Sequence, residues 1–473
     1  MIIGGKMKVK RILSAAIIFF MFSLCGCSGK NIVIKQSNNT PEEVYKYSYN
    51  LLEEDEMPIM IFCGPCSEYV FNGVKYPSTI TDKVFSELKE CGVNTILGIG
   101  NPALNDMTDM SETLRLSDKY GINYVVFDPL LVSVTDNGTT VGNPEDSLIR
   151  ERIEYYKSCK SFAGLFLTDE PSVRRYEGIS TAEKYVRKTF GNDKISYVNM
   201  LPLDDNFVLY SGDKEVFVSY EELLDRFFKE TQPKYLSYDR YPFHTSNPEG
   251  KVTSDWFTNL AIIRYYAQKN KVPFMGHVQV GGLWEGIGNR LPDEREFMWN
   301  INTMLAYGCK GLSYFTGVQS TYHMDNPFGN EGLIAVDGEK TRYWYYSKSL
   351  YKHISAVDGI LMNSANMGII ATGTSPDAIS DSFNGKKIID VYSSFREVKG
   401  VSSESALVGC FDYKGRTALY VVNNSFIADG KTKISFDGNY NMDVIQQGIV
   451  RKVTGSAVTL DLCGGESALI LLK

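Results

Sequence analysis

From residue 57 onward, short β-branched or aromatic runs alternate with amphipathic stretches, and the alternation repeats eight times before residue 361. A period of two giving way to helical spacing marks repeated strand–helix units, which build a parallel sheet. The strand candidates are Pro58–Phe62, Val93–Ile99, Tyr124–Phe127, Phe162–Leu167, Ile195–Met200, Tyr235–Tyr238, Phe274–Val280 and Gly311–Phe315. Helix ends are legible between them. Thr81 is the N-cap of a helix whose Val84, Phe85, Leu88 and Cys91 share a face and which Gly92 closes. Ser111–Tyr120 repeats the scheme up to Gly121, and further helices are expected at Asp146–Cys159, Thr181–Phe190, Glu221–Glu230, Asp255–Lys269, Asp293–Tyr307 and Thr341–Ala356. Eight units over about 300 residues have the size of a (β/α)8 TIM barrel, in which the active site lies at the C-terminal ends of the strands. An open doubly wound sheet would carry a glycine-rich phosphate loop after its first strand. Gly98, Gly100 and Asn101 follow the second strand without that spacing, so no dinucleotide cofactor is expected.

After Leu361 the texture changes to short alternating strands with turns at Asn384-Gly385, Lys414-Gly415, Asp429-Gly430 and Asp437-Gly438. Runs such as Ala406–Phe411, Ala418–Val422 and Ser467–Leu472 predict a small antiparallel β-sandwich over 362–473, behind an α/β barrel over 57–361. The sandwich carries no convergent set of titratable groups, so packing or accessory duty is its expected role.

The chain opens with Lys6, Lys8, Lys10 and Arg11, followed by the apolar run Ile12–Leu24. Cations before an apolar run too short to span a bilayer comfortably have the order of an export signal. That run ends in Leu24-Cys25-Gly26-Cys27-Ser28, which resembles the lipobox of bacterial lipoproteins. The resemblance implies a signal peptide over 1–26, a diacylated Cys27, and a protein exported and anchored to the outward face of the bacterial cell membrane. Ser28–Pro41 then reads as a polar tether within an N-terminal segment reaching residue 56. Losing four cations makes the chain more acidic than its formal net charge of -7, and no basic stripe exists, so nucleic acid is not an expected partner.

Nine cysteines, less Cys25 and Cys27, leave an odd number, and the fold cannot depend on a disulfide framework. Cys63-Gly64-Pro65-Cys66 copies a redox tetrapeptide. The sequence after it, Tyr69-Val70-Phe71 and Val74-Lys75-Tyr76 around Asn72-Gly73, reads as a hairpin, whereas a redox dithiol opens a helix. A loop disulfide or two buried thiols is the expectation. With His only at 244, 277, 323 and 353 and no HExxH pair, no zinc site is expected, and no Gly-x-Ser-x-Gly elbow is present.

Strand ends in a barrel converge on one pocket, so its residues can be named. They are Glu68, Asn101 and Asp128 after the first three strands, Asp169 and Glu170 after the fourth and Asn199 after the fifth. The sixth adds Asp239 and Tyr241, the seventh His277 and Gln279 and the eighth Tyr314 and Phe315. Two carboxyl groups across a pocket suit glycoside hydrolysis: one protonates the leaving oxygen and the other acts as nucleophile or base. Burial beside Asp169 and aromatic walls would raise the pKa of Glu170 toward the range an acid needs. Trp284, Tyr314 and Phe315 are candidate platforms for sugar faces.

Gly164-Leu165-Phe166-Leu167-Thr168-Asp169-Glu170-Pro171 resembles the Asn-Glu-Pro strand-four end of clan A glycoside hydrolases, with Asp169 in place of Asn. Met304–Phe315 is similar to the segment entering strand eight of family 42 β-galactosidases, with Cys309 replacing an Ala, and Tyr238–Phe243 extends the likeness to strand six. The resemblance implies a carbohydrate substrate and Glu170 as acid/base. It also implies a nucleophilic Glu ending strand seven, where this chain has Gln279. An amide cannot form a glycosyl ester. Three readings stay open: Asp239 or Glu285 supplies the second carboxylate, at a wider separation that favours inversion; a substrate group takes its place; or the pocket binds a glycan without cleaving it. On the lipobox reading, Cys27→Ala abolishes incorporation of radiolabelled fatty acid into the full chain in bacterial cells and releases it from the membrane fraction.

Overall fold

Eight strands form where the apolar runs predict them. They are β1 (Ile59–Phe62), β2 (Thr95–Leu97), β3 (Asn123–Val126), β4 (Phe162–Asp169), β5 (Ile195–Asn199), β6 (Leu236–Tyr238), β7 (Phe274–Gln279) and β8 (Leu312–Phe315). The computed structural model describes residues 43–47, 55–71, 73–100, 107–203, 208–211, 214–217, 219–247, 250–281, 288–319, 331–373 and 379–473. The eight strands are all parallel and run β6-β7-β8-β1-β2-β3-β4-β5. The two ends of this sheet meet at a parallel bridge between Met200 and Tyr238, where the Met200 amide donates to the Ser237 carbonyl at 2.9 Å. The result is a (β/α)8 barrel.

Helices follow the strands: α1 (Asp82–Glu90), α2 (Thr108–Tyr120), α3 (Ser147–Ser158), α4 (Tyr176–Phe190), α5 (Tyr220–Thr231), α6 (Trp256–Lys269), α7 (Glu294–Ala306) and α8 (Arg342–Met362). Several of their N-termini are fixed by side chains that satisfy the first free amides. Thr81 accepts from the Val84 amide, Asp146 from Leu148 and Ile149, and Asp293 forms a reciprocal capping box with Glu296. No helix among the described residues is long and apolar enough to cross a membrane.

Strand alternation divides the barrel into two cores. Met60, Phe62, Leu97, Val125, Phe166, Ile195, Tyr197 and Met275 fill the interior, while Ile59, Ile61, Ile96, Tyr124, Leu165 and Val278 pack outward with the helices. β4 departs from this regularity. Its pairing slips twice, once opposite Tyr124/Val125 and again between Phe166 and Thr168. Gly164 sits beside the first slip at φ 145, where a Cβ would stand 2.0 Å from the Ile195 carbonyl oxygen.

Beyond α8 the chain enters a seven-stranded antiparallel sheet: β9 (Ser364–Gly373), β10 (Val398–Ser402), β11 (Ser405–Tyr413), β12 (Arg416–Asn423), β13 (Gly430–Gln446), β14 (Ile449–Leu462) and β15 (Ser467–Leu472). Its order is β9-β11-β12-β15-β13-β10, with β14 on β13. β13 is 17 residues long, and its register against β14 shifts between Ser435 and Tyr440. The strands on either side of this shift share one core, including Ile370, Val408, Leu419, Ile434, Phe436, Val458 and Ile470. The sandwich-like body is thus one continuous sheet around a single core. It is joined to the barrel by buried polar contacts: Arg264 holds Asn366, Tyr420 donates to Asn302 Oδ1 at 2.8 Å, and Trp299 donates to Asn424 Oδ1 at 2.9 Å. Barrel and sheet lie in one compact unit, Asn39–Lys473, whereas the other unit, Met1–Asn38, which holds Cys27 and the segment expected to be a signal, lies outside the described residues.

Cys63 and Cys66 are not bridged, and a hairpin of Tyr69–Phe71 with Val74–Tyr76 follows them, as the sequence predicts. Gly164→Ala is expected to lower stability by about 2 kcal/mol or more in urea or thermal unfolding, because the new Cβ meets backbone in a conformation L residues avoid. Gly121→Ala is the control, since Gly121 has φ 59 but nothing within 4 Å of its Cβ; its expected cost is only about 1 kcal/mol.

Candidate active site

The second slip in β4 decides what the barrel mouth contains. Phe166 points inward, so in an unbroken strand Asp169 would point to the opposite face. The slip between Phe166 and Thr168 resets the phase, pairs Asp169 with Asn199 of β5, and turns the Asp169 carboxyl inward, where it hydrogen-bonds the Asn199 side chain. Glu170 follows at φ 41, a conformation non-glycine residues seldom adopt, with its amide donating to the Asn199 carbonyl at 2.9 Å. Strain of this kind persists where surrounding structure enforces it. Here Pro171 and the Asn199 contact hold Glu170 at the rim of the mouth, where the residue stays open to solvent while its carboxyl lies against Asp239 and the mouth walls.

Asp239, just past β6, is buried and hydrogen-bonded to Glu170. Asn199 Nδ2 donates to Asp239 Oδ1 at 2.8 Å, and Asn199 Oδ1 accepts from Ser237 Oγ at 2.9 Å. Ser237 Oγ lies 2.9 Å from the Tyr197 hydroxyl, which lies 3.0 Å from His277 Nε2. Each hydroxyl has one proton, so the chain has one direction. His277 Nε2 donates to Tyr197, Tyr197 to Ser237, Ser237 to Asn199 and Asn199 to Asp239. Burial pushes the His277 imidazole down to about 3, so it stays neutral and serves the relay through one tautomer.

Three carboxyl groups thus crowd one spot. The nearby cation Arg175 is held by Asp136 at 2.9 Å and by Thr168 Oγ1 at 2.8 Å. Burial, then the Asp239 charge, raise Asp169 to about 7, while Asn199, the Glu170 amide and Arg175 pull the other way. Glu170 rises to about 7 through burial by the mouth walls and the Asp169 charge. Asp239 rises well above the ordinary carboxylate range, through burial first and Glu170 second. Two hydrogen-bonded carboxyls with raised affinity hold one proton between them through neutrality. Asp169 Oδ1 is buried without a hydrogen-bond partner.

Aromatic rings complete the wall. Phe315 lies 5.3 Å from Tyr241 and 5.5 Å from Phe62, and Phe62 in turn lies 5.3 Å from His277. Tyr241 is buried beside all three carboxyls, and that burial first, then their charges, raise its phenol.

The structure therefore brings together Asp169, Glu170, Asn199, Asp239, Tyr241 and Phe315, with His277 beneath them. Tyr314 is a correction: it points outward, stacks on Phe297 and meets Ser347 Oγ at 3.0 Å, because neighbours along a strand face opposite ways. Gln279 is a second. Its Oε1 accepts from the Phe243 amide at 2.9 Å, and its Nε2 donates to the Phe243 and Arg290 carbonyls at 3.0 and 2.7 Å, so it clamps two loops. Asp128 is bound by Arg152 and Tyr156, and Glu68 pairs with Lys75 on the surface. The wide gap expected between Glu170 and Asp239 is replaced by a hydrogen bond. Trp284, Glu285 and Asn101 lie outside the described residues. Sequence reasoning missed Tyr197 and Ser237. Each stands two positions before a named residue, Asn199 or Asp239, and strand periodicity alone would have placed them on the inner face.

No group of three or more His, Cys, Asp or Glu among the described residues is arranged to hold a metal ion. No family model matches the chain, and no curated protein matches it. Similar solved structures include a catalytic mutant of a family 42 β-galactosidase from G. stearothermophilus, 9% identical over 90% of this chain and 100% of that one, with a TM-score of 0.49. α-L-Fucosidase isoenzyme 2 from Paenibacillus thiaminolyticus is 8% identical over 88% and 99%, with a TM-score of 0.46. A β-galactosidase from the psychrophilic Marinomonas ef1 is 10% identical, with a TM-score of 0.44; the match covers 66% of this chain and spans only 63% of that one. All three are glycoside hydrolases, and such identities carry no residue role across.

A carboxyl with a raised native pKa makes the native state bind more protons than the unfolded chain between the ordinary carboxylate range and about 7, so stability falls as pH rises through that window. Asp169→Asn removes one such group while keeping its shape. Its melting temperature is expected to exceed that of the unsubstituted chain by roughly 2–4 °C at pH 8, with the gain shrinking or vanishing at pH 5, as read by calorimetry.

Proposed function

We propose that the chain is a glycoside hydrolase in which the Glu170–Asp239 pair is the proton reservoir and Glu170, its exposed member, hands the proton to the leaving oxygen. The proton shared at an open, aromatic-walled mouth supports this most directly. Cleaving a glycosidic bond at neutral pH needs a group that is still protonated there yet close to its release point. A solvated glutamic acid is ionised by then, whereas one raised to about 7 is not. When the shared proton rests on Asp239 it can cross the hydrogen bond to Glu170, so the pair acts as one acid. The relay from His277 keeps Asp239 oriented throughout. Phe315, half-buried at the mouth, offers ring surface for the apolar face of a sugar.

In the same reading the substrate is an extracellular oligo- or polysaccharide, and the protein is held at the outward membrane face through Cys27. A second reading, glycan binding without cleavage, is favoured by one observation: strand seven presents Gln279, whose polar groups are all engaged by backbone.

Hydrolysis is expected to fall as pH rises through about 7, because the reservoir then empties. Glu170→Gln is expected to lower kcat/KM about 10²–10⁴-fold on oligosaccharides, whose leaving groups need a proton. The loss is much smaller on nitrophenyl glycosides, whose leaving groups do not. A glycan panel showing binding and no turnover on any substrate overturns the enzyme reading and leaves the binding one.

A further inference from the structure

We propose that the nucleophile belongs to the substrate: the sugar cleaved carries a 2-acetamido group, which Asp169 holds while its carbonyl oxygen attacks C1. This rests on the hydrolase reading above and names its substrate class.

The argument starts from where the carboxyls stand. A protein nucleophile or base must lie across the sugar from the acid, at about 5–5.5 Å for retention or about 6.5–9.5 Å for inversion. Asp239 cannot take that position, because it is hydrogen-bonded to Glu170. Gln279, at the end of the strand facing the site, has its oxygen and both amide hydrogens engaged by backbone. Among the described residues the site's carboxyls therefore gather on one side, which favours a substrate group as the source of the attacking electron pair.

Asp169 supplies the second, independent observation. Its Oδ1 is buried and lacks a donor, although the carboxyl is otherwise held by Asn199 and the Glu170 amide. A buried carboxylate oxygen without a partner is costly, and a ligand N–H would satisfy it. Asp169 adjoins Glu170 in the chain, so an N–H on Asp169 lies close to a leaving oxygen on Glu170. An amide on C2 next to a leaving group on C1 spans that short distance. A hydroxyl on C2 could also donate to Asp169, but it has no carbonyl oxygen with which to close a five-membered ring on C1.

The step balances. The amide oxygen lone pair forms the new bond to C1, and the electrons of the C1–O bond leave with the departing oxygen, which takes the proton from Glu170. The resulting oxazolinium ion carries its positive charge partly on the nitrogen, whose proton faces the Asp169 carboxylate, so the interaction strengthens as charge develops. Water then adds at C1, its proton goes to Glu170, and the ring electrons return to the amide carbonyl. One water is consumed, nothing is oxidised or reduced, and the configuration at C1 is retained. Closing the ring requires the amide and the leaving oxygen to be trans, which selects β-linked gluco or galacto sugars.

The test uses the full chain and synthetic β-glycosides matched in leaving group, bearing either 2-acetamido or 2-hydroxy. The expected result is a kcat preference for the acetamido series of about 100-fold or more, in keeping with the effective molarity of an intramolecular nucleophile. Successive fluorination of the acetyl methyl should depress kcat stepwise with little change in KM, and the thiazoline analogue of the oxazoline ring should inhibit competitively. Asp169→Asn should lower kcat on the acetamido series, but the fluorination series needs no variant and stands if that one misfolds. Equal turnover of 2-hydroxy glycosides, or indifference to fluorination, overturns this inference and leaves the hydrolase reading intact. Binding of either series with no turnover overturns both.

Discussion

The barrel closes through a single backbone bridge between β5 and β6, and side chains complete that seam. Tyr235 bonds the backbone of β5, accepting from the Val198 amide at 2.8 Å and donating to the Ser196 carbonyl at 3.1 Å. Above it, Ser237 and Asn199 join the two strands through their side chains, and Asn199 then reaches Asp239. Elsewhere in the barrel, adjacent strands are held by runs of backbone pairs. Here the polar network that orients the carboxyls also closes the sheet. Site geometry and barrel integrity thus share the same hydrogen bonds, which explains why the network is buried and continuous down to His277. A half-satisfied network in such a place would cost more than an apolar seam.

The carboxyl cluster works against this stability. Three acidic side chains share a mouth in which Arg175 is already committed to Asp136, so repulsion and burial are relieved mainly by protons. A cation placed among them would lower their affinities and keep them ionised, which is the usual way to stabilise buried acids. Its place is taken by hydrogen-bond donors arranged in one direction, all pointing toward Asp239. These orient the pair without removing its proton. The arrangement suits proton delivery near neutrality and is poor as a structural ion-pair network.

Much of this was legible in the sequence, and the exceptions have physical causes. The eight strands and their helices could be read because most have a regular apolar period, and several helices have caps of the expected chemistry, such as Thr81, Asp146 and Asp293. Glu170 and Asp239 were legible as strand-end carboxyls. Their contact was not, since strand order fixes which residues meet at the mouth but not how far each side chain reaches. Tyr314 was misplaced although period two predicts its outward face once Phe315 is set inward. Gln279 looked like a vacant catalytic position because its partners, Phe243 and Arg290, are backbone groups on loops, which leave no residue-type signal. The slips in β4 are likewise invisible to composition, apart from Gly164, the residue that tolerates the first of them.

Those slips connect the sequence to the chemistry. Without the second of them, Asp169 would face the helices and Glu170 alone would enter the mouth, giving one carboxyl opposite Asp239. The extra residue in β4 and the left-handed turn at Glu170, locked by Pro171, bring two consecutive acids to the same side. Consecutive residues of a regular strand cannot do this, because their side chains diverge. The strain at Glu170 and the unpartnered oxygen of Asp169 are thus consequences of one local deformation, and both are unfavourable in the empty protein. A ligand that donates to Asp169 while accepting from Glu170 relieves the second of these costs at the moment of reaction, so the deformation makes sense as preorganisation for a substrate with a donor and an acceptor on adjacent atoms.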